Sequence, residues 1–210
     1  MSTVEGKRAA SHRDKIERIV QATRSLAEAG GREALRARQI CEKAGVSTGA
    51  LYRHFESVEH ILLFAFTRDF ESVEQQLART IIPGDTQVER VENFFRSVTN
   101  VMEQQPAYSG AVISAMSSGQ QKAVQQIVVL SGRITNLVYG AIMGEPVQAG
   151  PDAVAGRNGT PEQQRAARCA TILYRYWFSM LVGWSASAYT TAEVIQQTVE
   201  TAQFLLEDRA

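Results

Sequence analysis

The chain has 210 residues and carries 22 Lys and Arg against 22 Asp and Glu, so its formal net charge is zero. This balance argues against a generic polycationic nucleic-acid binder, while the length is enough to bury the core of one large or two modest domains. The apolar runs fall short of the roughly 18 residues that a membrane span needs, and the N-terminus is polar, so we expect a cytoplasmic protein with no membrane partner. Only Cys41 and Cys169 are present, so we expect no disulfide and no metal. We expect no cofactor either.

The first predicted helix spans about residues 13–29 and ends at Gly30 and Gly31. Its apolar face is formed by Ile16, Ile19, Val20, Thr23 and Ala27. A short basic arm ahead of this helix contains Lys7, Arg8 and Arg13. Such an arm is either simply solvated or able to reach a nucleic-acid backbone or minor groove.

The most informative segment is Arg38–Phe55, which reads as two short helices joined by a tight turn at Gly45. Glycine adopts the left-handed conformation of a helix C-terminus without steric penalty, and Ser47 is a good N-cap for the second helix. Apolar residues at i, i+4 spacing would face a core: Ile40, Ala44, Leu51 and Phe55. This layout is typical of a helix-turn-helix, whose second helix can enter a DNA major groove.

Small and polar side chains remain for the outer face of this segment. Small residues let a backbone approach DNA closely, and cationic or hydrogen-bonding residues reach phosphates and base edges. The predicted DNA-binding residues are Arg36, Arg38, Gln39, Ser47, Thr48, Gly49, Ala50, Tyr52, Arg53 and His54. Residues 1–60 carry 11 Lys and Arg against 8 Asp and Glu, so the positive charge lies in the same segment. The competing interpretation is an ordinary amphipathic helical hairpin.

Helical periodicity continues through the rest of the chain. A long helix from Ser57 to about Thr80 would link an N-terminal head to a body. Further helices are predicted at 86–106, 108–118, 120–143, 160–188 and from 190 onward, with capping boxes at Thr86–Glu89, Thr160–Gln163 and Thr190–Glu193. Residues 144–161 are rich in Gly and Pro and predict a mobile surface loop.

No segment reads as a strand, so the sequence predicts an all-α fold of nine helices. The expected domains are a three-helix DNA-binding domain at residues 1–57 and a six-helix effector-binding and dimerisation domain at residues 58–210.

The helix predicted at 160–188 is apolar around much of its circumference. A helix of this kind must be covered on more than one side. Either it is buried within one body, or a second subunit covers one side. A dimer would present two recognition helices about 34–36 Å apart on successive major grooves, so the operator would be an approximate palindrome.

The body also offers apolar and aromatic residues that could line a cavity between helices for a small hydrophobic effector. The candidate ligand-binding residues are Phe94, Phe95, Val98, Met102, Tyr108, Met116, Ile127, Ile134, Leu137, Val138 and Trp177. Plain core packing is the alternative for each of them. Polar groups that could orient the effector are Arg96, Asn100, Tyr108, Arg133, Asn136 and Arg175.

The string A-G-V-S-x-G-x-L-Y-x-H-F, at residues 44–55, resembles the TetR family of one-component transcriptional regulators. The resemblance extends from about Lys15 to about Leu63. It implies an N-terminal DNA-binding head and a dimer formed by the two C-terminal helices. Two positions depart from the family pattern: Arg36 stands where Thr is usual, and Val58 stands where a phosphate-binding Lys is usual.

Within that family the chain is similar to KstR-type repressors of sterol catabolism. The similarity is carried by Leu51-Tyr52-Arg53, by Met143-Gly144-Glu145-Pro146, and by Trp177, Leu181 and Trp184. It implies a repressor that is released by an acyl- or sterol-derived coenzyme A thioester.

An enzyme and a helical adaptor are the competing classes of protein. The three histidines, His12, His54 and His60, form no E-x-x-H pair, and neither a Gly-rich phosphate loop nor a nucleophile elbow is present. The sequence therefore favours a regulator over an enzyme, whereas an adaptor would use the same helical hairpin for protein contacts.

Overall fold

A computed structural model describes residues 2–119, 121–150, 156 and 158–207, with side chains described from residue 10 onward, residue 122 excepted. Within these residues the chain forms nine α-helices and no strand, which confirms the all-α prediction. Two short 3-10 turns, Gly31–Ala34 and Gln121–Ala123, lie between them. The helices are α1 (Ser2–Gly30), α2 (Ala37–Ala44), α3 (Thr48–Tyr52), α4 (Val58–Ala78), α5 (Gln87–Gln104), α6 (Pro106–Ser117), α7 (Val124–Met143), α8 (Pro161–Ser185) and α9 (Thr191–Leu206).

Local chemistry sets most helix ends. Each of the three predicted capping boxes has both of its hydrogen bonds, at Thr86–Glu89, Thr160–Gln163 and Thr190–Glu193. Among the boundaries that differ from expectation, those at Ser2 and Pro106 follow from the backbone itself. α1 begins at Ser2, so the basic arm belongs to the helical backbone rather than preceding it. Pro106 opens α6, at the first helical position where a missing N–H costs nothing, instead of only ending α5.

The chain packs as two units that do not coincide with the expected division at residue 57. The N-terminal unit comprises Met1–Arg68 and Pro106–Gln126, and the C-terminal unit comprises Asp69–Gln105 and Ile127–Ala210. The helix α6 joins the N-terminal unit because it packs against α1 and the first 3-10 turn. Its side chains that are buried are Tyr108, Ser109, Ala111, Val112, Ile113 and Ala115.

The core of the helix-turn-helix forms where α1, α2, α3 and the start of α4 meet. The four residues predicted to face inward are buried: Ile40, Ala44, Leu51 and Phe55. Ile19 of α1 and Ile61 of α4 complete this cluster without exposed surface. Burying several such side chains, at about 1.5–3 kcal/mol each, holds the short α3 in place, since five residues would not form a stable helix alone.

In the C-terminal unit, α9 packs against α5 and α8. Trp177 of α8 is buried, its ring centroid lies 5.4 Å from that of Phe95, and its indole N–H donates to Thr99 Oγ1 at 3.0 Å. The indole polar group is thereby satisfied inside an apolar core.

Up to Thr160, the described part of the loop predicted at 144–161 forms no helix or strand. Its described segment Gly144–Gly150, here called the strap, is held by three hydrogen bonds. Val147 N donates to Ala78 O (2.9 Å), Asn136 Nδ2 to Gln148 O (2.8 Å), and Gly150 N to Glu74 Oε1 (3.1 Å). Residues 151–155 and 157 lie outside the described residues.

The helix α7 is long and apolar enough, by length and composition, to cross a membrane, with a mean hydropathy of 1.2 over its most apolar window. It is the one such helix in the part of the chain described. More than half of that window is buried inside the protein, and core helices pass the same test. Buried Arg133 interrupts its apolar run and pairs with Glu71 and Glu74, as expected of a helix packed within a protein core.

Candidate nucleic-acid interface

The turn between α2 and α3 is built as predicted. Gly45 adopts a left-handed conformation with φ of 64°, and the side chain of Ser47 accepts from Ala50 N at 3.2 Å. The sequence analysis did not predict the contribution of Arg18, whose Nη1 donates to Ala44 O at 3.0 Å. A cation at the carbonyl end of a helix is favourable, so α1 caps the C-terminus of α2 from a distance of 26 residues in the chain.

Most predicted DNA-binding residues share the outer surface of α2 and α3. Those that are exposed are Arg36, Arg38, Gln39, Ser47, Thr48, Gly49, Tyr52 and Arg53. Tyr52 is 51% exposed, which is unusual for so large an aromatic side chain in a tightly packed segment. Ala50 differs from the expectation, because its side chain is buried at 7% exposure and packs inward.

Gly49 lies at the second position of α3, where side chains are not required for packing. A Cβ built on it would meet no described atom within 4 Å. The backbone there is helical, so neither a steric conflict nor a special dihedral angle demands glycine. The absence of a side chain leaves the backbone of α3 accessible from outside.

Arg36 is the N-cap residue of α2 and takes an extended conformation, with φ of −117° and ψ of 135°. Its side chain makes no capping hydrogen bond to the described first turn of α2. A Thr here, which the family resemblance leads one to expect, would supply such a bond. This chain therefore has an exposed guanidinium in place of a cap.

Val58, the other departure from the family pattern, is half-buried and packs against the N-terminal core. It opens α4, next to a turn in which Ser57 Oγ accepts from His60 N at 3.0 Å. The buried carboxylate of Glu59 pairs with Arg32 of the first 3-10 turn. The start of α4 is thus fixed by packing, a cap and an ion pair.

Two histidines flank the end of α3. His54 follows α3, and its ring centroid lies 4.5 Å from that of His12 on α1, with the planes at 83°. Burial lowers the pKa of His54, and the nearby charges of His12, Arg53 and Lys15 lower it further. The His54 ring is therefore disposed to be neutral at physiological pH.

His60 on α4 packs edge-on against Phe55, with ring centroids 5.5 Å apart. Its Nδ1 accepts from Glu56 N at 3.4 Å, and its Nε2 lies 3.0 Å from the side-chain amide of Gln126. Burial lowers the pKa of His60, against an opposing effect of Glu56. Both ring nitrogens are engaged within the N-terminal unit.

The candidate effector residues are divided between the two units. Phe94, Phe95, Val98, Met102, Ile127, Ile134, Leu137, Val138 and Trp177 belong to the C-terminal unit, and Tyr108 and Met116 belong to the N-terminal unit. The Tyr108 ring lies near the ring of Phe66 (6.3 Å) and the guanidinium of Arg24 (5.8 Å). Arg133 and Asn136, proposed as polar groups for an effector, instead bond Glu71, Glu74 and the strap.

Residues 19–63, which span this candidate interface, match the family model of bacterial regulatory proteins of the tetR family. Over 198 residues the chain is 26% identical to the HTH-type transcriptional repressor KstR of Rhodococcus jostii, covering 94% of this chain and 85% of the relative. The KstR repressor of Mycobacterium tuberculosis is 24% identical over 95% of this chain and 84% of its own length.

Solved structures share the fold. A TetR transcriptional regulator from Rhodococcus sp. RHA1 superposes with a TM-score of 0.73 at 16% identity, covering 95% of this chain and all of the other. FadR of Bacillus subtilis, solved with stearoyl-CoA, gives a TM-score of 0.55 at 15% identity over 91% of this chain and 97% of its own. With the family model over residues 19–63 and the curated relatives, this fold makes the chain similar to the bacterial regulatory proteins of the tetR family, and the relatives matched are transcriptional repressors.

Proposed function

We propose that this chain is a transcriptional repressor that binds a palindromic DNA operator as a homodimer in the cytoplasm and is released by a small hydrophobic effector. The DNA-binding part of this proposal rests on the exposed outer face of α3, whose inner face packs on the N-terminal core. Thr48, Gly49, Tyr52 and Arg53 face outward, while Leu51 anchors the helix without exposed surface. Repression is supported by the curated relatives, which are named transcriptional repressors.

Dimerisation through α8 and α9 is supported by their exposed apolar side chains. Ile172 is 48% exposed and Val182 38% on α8, and Phe204 is 63% exposed on α9. The same two helices are packed against each other and also carry fully buried residues, among them Leu173 and Val194. A second copy that covers this surface would present two α3 helices to one duplex.

The effector is proposed to be an acyl- or sterol-derived coenzyme A thioester that binds among the body helices. The support is a fold neighbour solved with stearoyl-CoA and an apolar, aromatic set of candidate residues in the body. A ligand shifts the equilibrium between DNA-binding and released states only by its differential affinity for them. The candidate carrier of that shift is α4, because the division between the two units falls within it.

The substitution Gly49→Ala tests the DNA-binding proposal. A methyl group on Gly49 meets no described atom within 4 Å and should raise helix stability slightly, since Ala has the higher helix propensity. If the α3 backbone approaches DNA closely, operator affinity should nevertheless fall, by about tenfold or more for a clash equivalent to about 1.4 kcal/mol. Footprinting on the DNA upstream of the chain's own coding sequence would identify the duplex, and gel shifts would measure affinity.

The matched control is Gly132→Ala, another helical glycine at which a Cβ meets no described atom within 4 Å. It should leave affinity unchanged. Unaltered binding by both variants, or an absence of salt-sensitive binding in the wild type, would contradict the proposal.

Effector release is tested with stearoyl-CoA, a sterol-derived CoA thioester and free coenzyme A as the control. A gel-shift complex that dissociates with either thioester but not with coenzyme A supports the effector class. Comparing the two thioesters shows whether the effector is acyl- or sterol-derived. A complex that survives saturating concentrations of both thioesters contradicts it, while leaving the DNA-binding proposal intact.

A further inference from the structure

The His12–His54 pair is a titratable cluster that the helix-turn-helix pattern alone does not account for. The two rings meet edge to face at 4.5 Å, and they come from elements separated by about forty residues of chain, α1 and the end of α3. His12 is exposed and His54 half-buried, so solvent reaches the pair. The pair adjoins Arg53, on the outward surface of α3.

The charges that act on His54 are cationic: His12 and Lys15 from α1, and Arg53 beside it in the chain. The carboxylates of the neighbouring turns have other partners. Asp14 pairs with Arg18, Glu17 bonds Gln21 and Arg68, and Glu56 acts on His60. The pair is therefore a place where positive charge concentrates, and every charge that acts on His54 among the described residues is cationic.

We propose that His12 and His54 together bind a phosphate oxygen of the DNA backbone, and that His54 takes up a proton when they do so. This inference rests on the proposed DNA-binding function and adds to it a contact from α1 and a dependence on pH. A neutral imidazole offers one N–H donor, and an imidazolium offers two and a full charge. A phosphodiester beside the pair supplies the anion that offsets the repulsion among His12, His54, Arg53 and Lys15.

The sign of the pH dependence follows from this arrangement. In the free protein the pKa of His54 is lowered by burial and by its cationic neighbours. A bound phosphate raises the pKa of the His54 ring, so the complex holds more protons than the separate partners. DNA affinity therefore increases as pH falls through the range between the free and bound pKa values.

The experiment measures fluorescence anisotropy of a labelled duplex carrying the footprinted sequence, and of an unrelated duplex of equal length, from about pH 8 to 6.5. The wild type should bind both duplexes more tightly at the lower pH, by about tenfold for an uptake approaching one proton per protomer. The variants His12→Gln and His54→Gln should each lose most of this change. His12 is exposed, so its replacement should not disturb folding.

Two controls separate proton uptake from general electrostatics. Lys15→Gln should weaken binding by about the same factor at every pH, because Lys does not titrate in this range. His60→Gln should keep the full pH dependence, because both of its ring nitrogens face partners inside the N-terminal unit. The histidine resonances of the tag-free protein give a second readout, in which DNA should raise the pKa of His54 but not that of His60.

An unchanged pH dependence in His12→Gln and His54→Gln, or a His54 pKa that DNA does not move, would overturn the inference. In either case binding itself would persist, and the proposed function would stand. Absence of DNA binding by the wild type at every pH would instead remove the proposed function and this inference with it.

Discussion

Each side chain around the α2–α3 turn either packs into the core or is exposed to solvent. Leu51 and Ala50 point into the core, whereas Tyr52 and Arg53, their neighbours in sequence, remain exposed. Arg36 is exposed at the N-cap position of α2, where a residue that packs or caps the helix is more usual. Its guanidinium is exposed, and the N-terminus of α2 lacks a side-chain cap from it.

Arg36→Thr should therefore separate stability from DNA affinity. Thr can accept from an N–H of the first turn of α2, which should raise the free energy of unfolding by about 1 kcal/mol. Loss of the exposed cation should weaken DNA binding several-fold and lower its salt dependence by about one phosphate contact. Urea denaturation and gel shifts at several salt concentrations would measure the two effects.

Arg38→Gln is the matched control for this pair of effects. It removes a cation from the same face of α2 but adds no cap, so stability should stay within about 0.5 kcal/mol. An Arg36→Thr variant that is less stable than the wild type would contradict the capping argument.

The histidines also determine how the DNA-free protein responds to acid. Burial is the leading cause that lowers the pKa of both His54 and His60, so the unfolded chain binds more protons than the folded one below the ordinary value of 6.5. The free energy of unfolding is therefore unaffected by these two histidines above about pH 6.5, and it decreases as the pH falls below that value. The melting temperature should be lower at about pH 5.5 than at about pH 7.5.

His60→Gln should flatten this acid dependence, because Gln can still hydrogen-bond Gln126 but cannot titrate. A melting temperature that rises on acidification, or a variant with the same pH dependence as the wild type, would contradict the assignment of this effect to half-buried His60.

At the scale of elements, the strap and α6 show how contacts distant in sequence override local patterns. Residues 144–150 have the Gly- and Pro-rich composition of a mobile loop, yet they lie across α4 and α7 through three hydrogen bonds. Glu74 is central to this arrangement. It is 2% exposed, accepts from Gly150 N and from Arg133 Nη1, and thereby joins the strap to both helices.

Glu74→Ala should free the strap and leave Arg133 paired with Glu71. We expect the free energy of unfolding to fall by about 1–3 kcal/mol, since a buried cation loses a bond and its desolvation is no longer offset. The amide of Gly150 should exchange its hydrogen faster. Hydrogen exchange with mass spectrometry and urea denaturation would measure both.

Glu71→Ala is the control within the same cluster. Glu71 is 46% exposed and bonds Arg133 but not the strap, so its loss should cost under about 1 kcal/mol and leave Gly150 protected. Equal effects of the two substitutions would contradict the role assigned to Glu74.

At the scale of the whole molecule, the exposed apolar side chains of α8 and α9 bear on the proposed dimer. Ile172, Val182 and Phe204 are partly solvated in a single chain, although other apolar residues of the same helices, Leu173, Leu181 and Ala202, are buried. A helix that is apolar on two sides is stable when a second surface covers it. The proposed second copy would cover it and set the distance between the two recognition helices.

Phe204→Asp should convert the protein to a monomer without unfolding it, because the side chain is 63% exposed in the single chain. Sedimentation velocity would show the change in mass, and DNA affinity should fall by about 100-fold because the two half-sites are no longer linked. Val101→Asp, at a 64% exposed valine of α5, is the matched control and should remain a dimer. A Phe204→Asp protein that sediments as a dimer would contradict the proposed interface.

The local sequence determined where helices begin and turn. Gly45, Ser47 and the three capping boxes act through bonds that span three or four residues, so their spacing alone predicts the helix-turn-helix and the starts of α5, α8 and α9. The inward positions of Ile40, Leu51 and Phe55 follow in the same way from helical periodicity.

Only the tertiary structure decided which of these helices pack together and which side chains meet. It placed α6 with α1 and joined Arg18 to the end of α2. It also brought His12 against His54 and held the strap with Glu74. These contacts link residues that are tens of positions apart. Their energies depend on the burial and distances that the folded chain creates, which neither periodicity nor capping chemistry encodes.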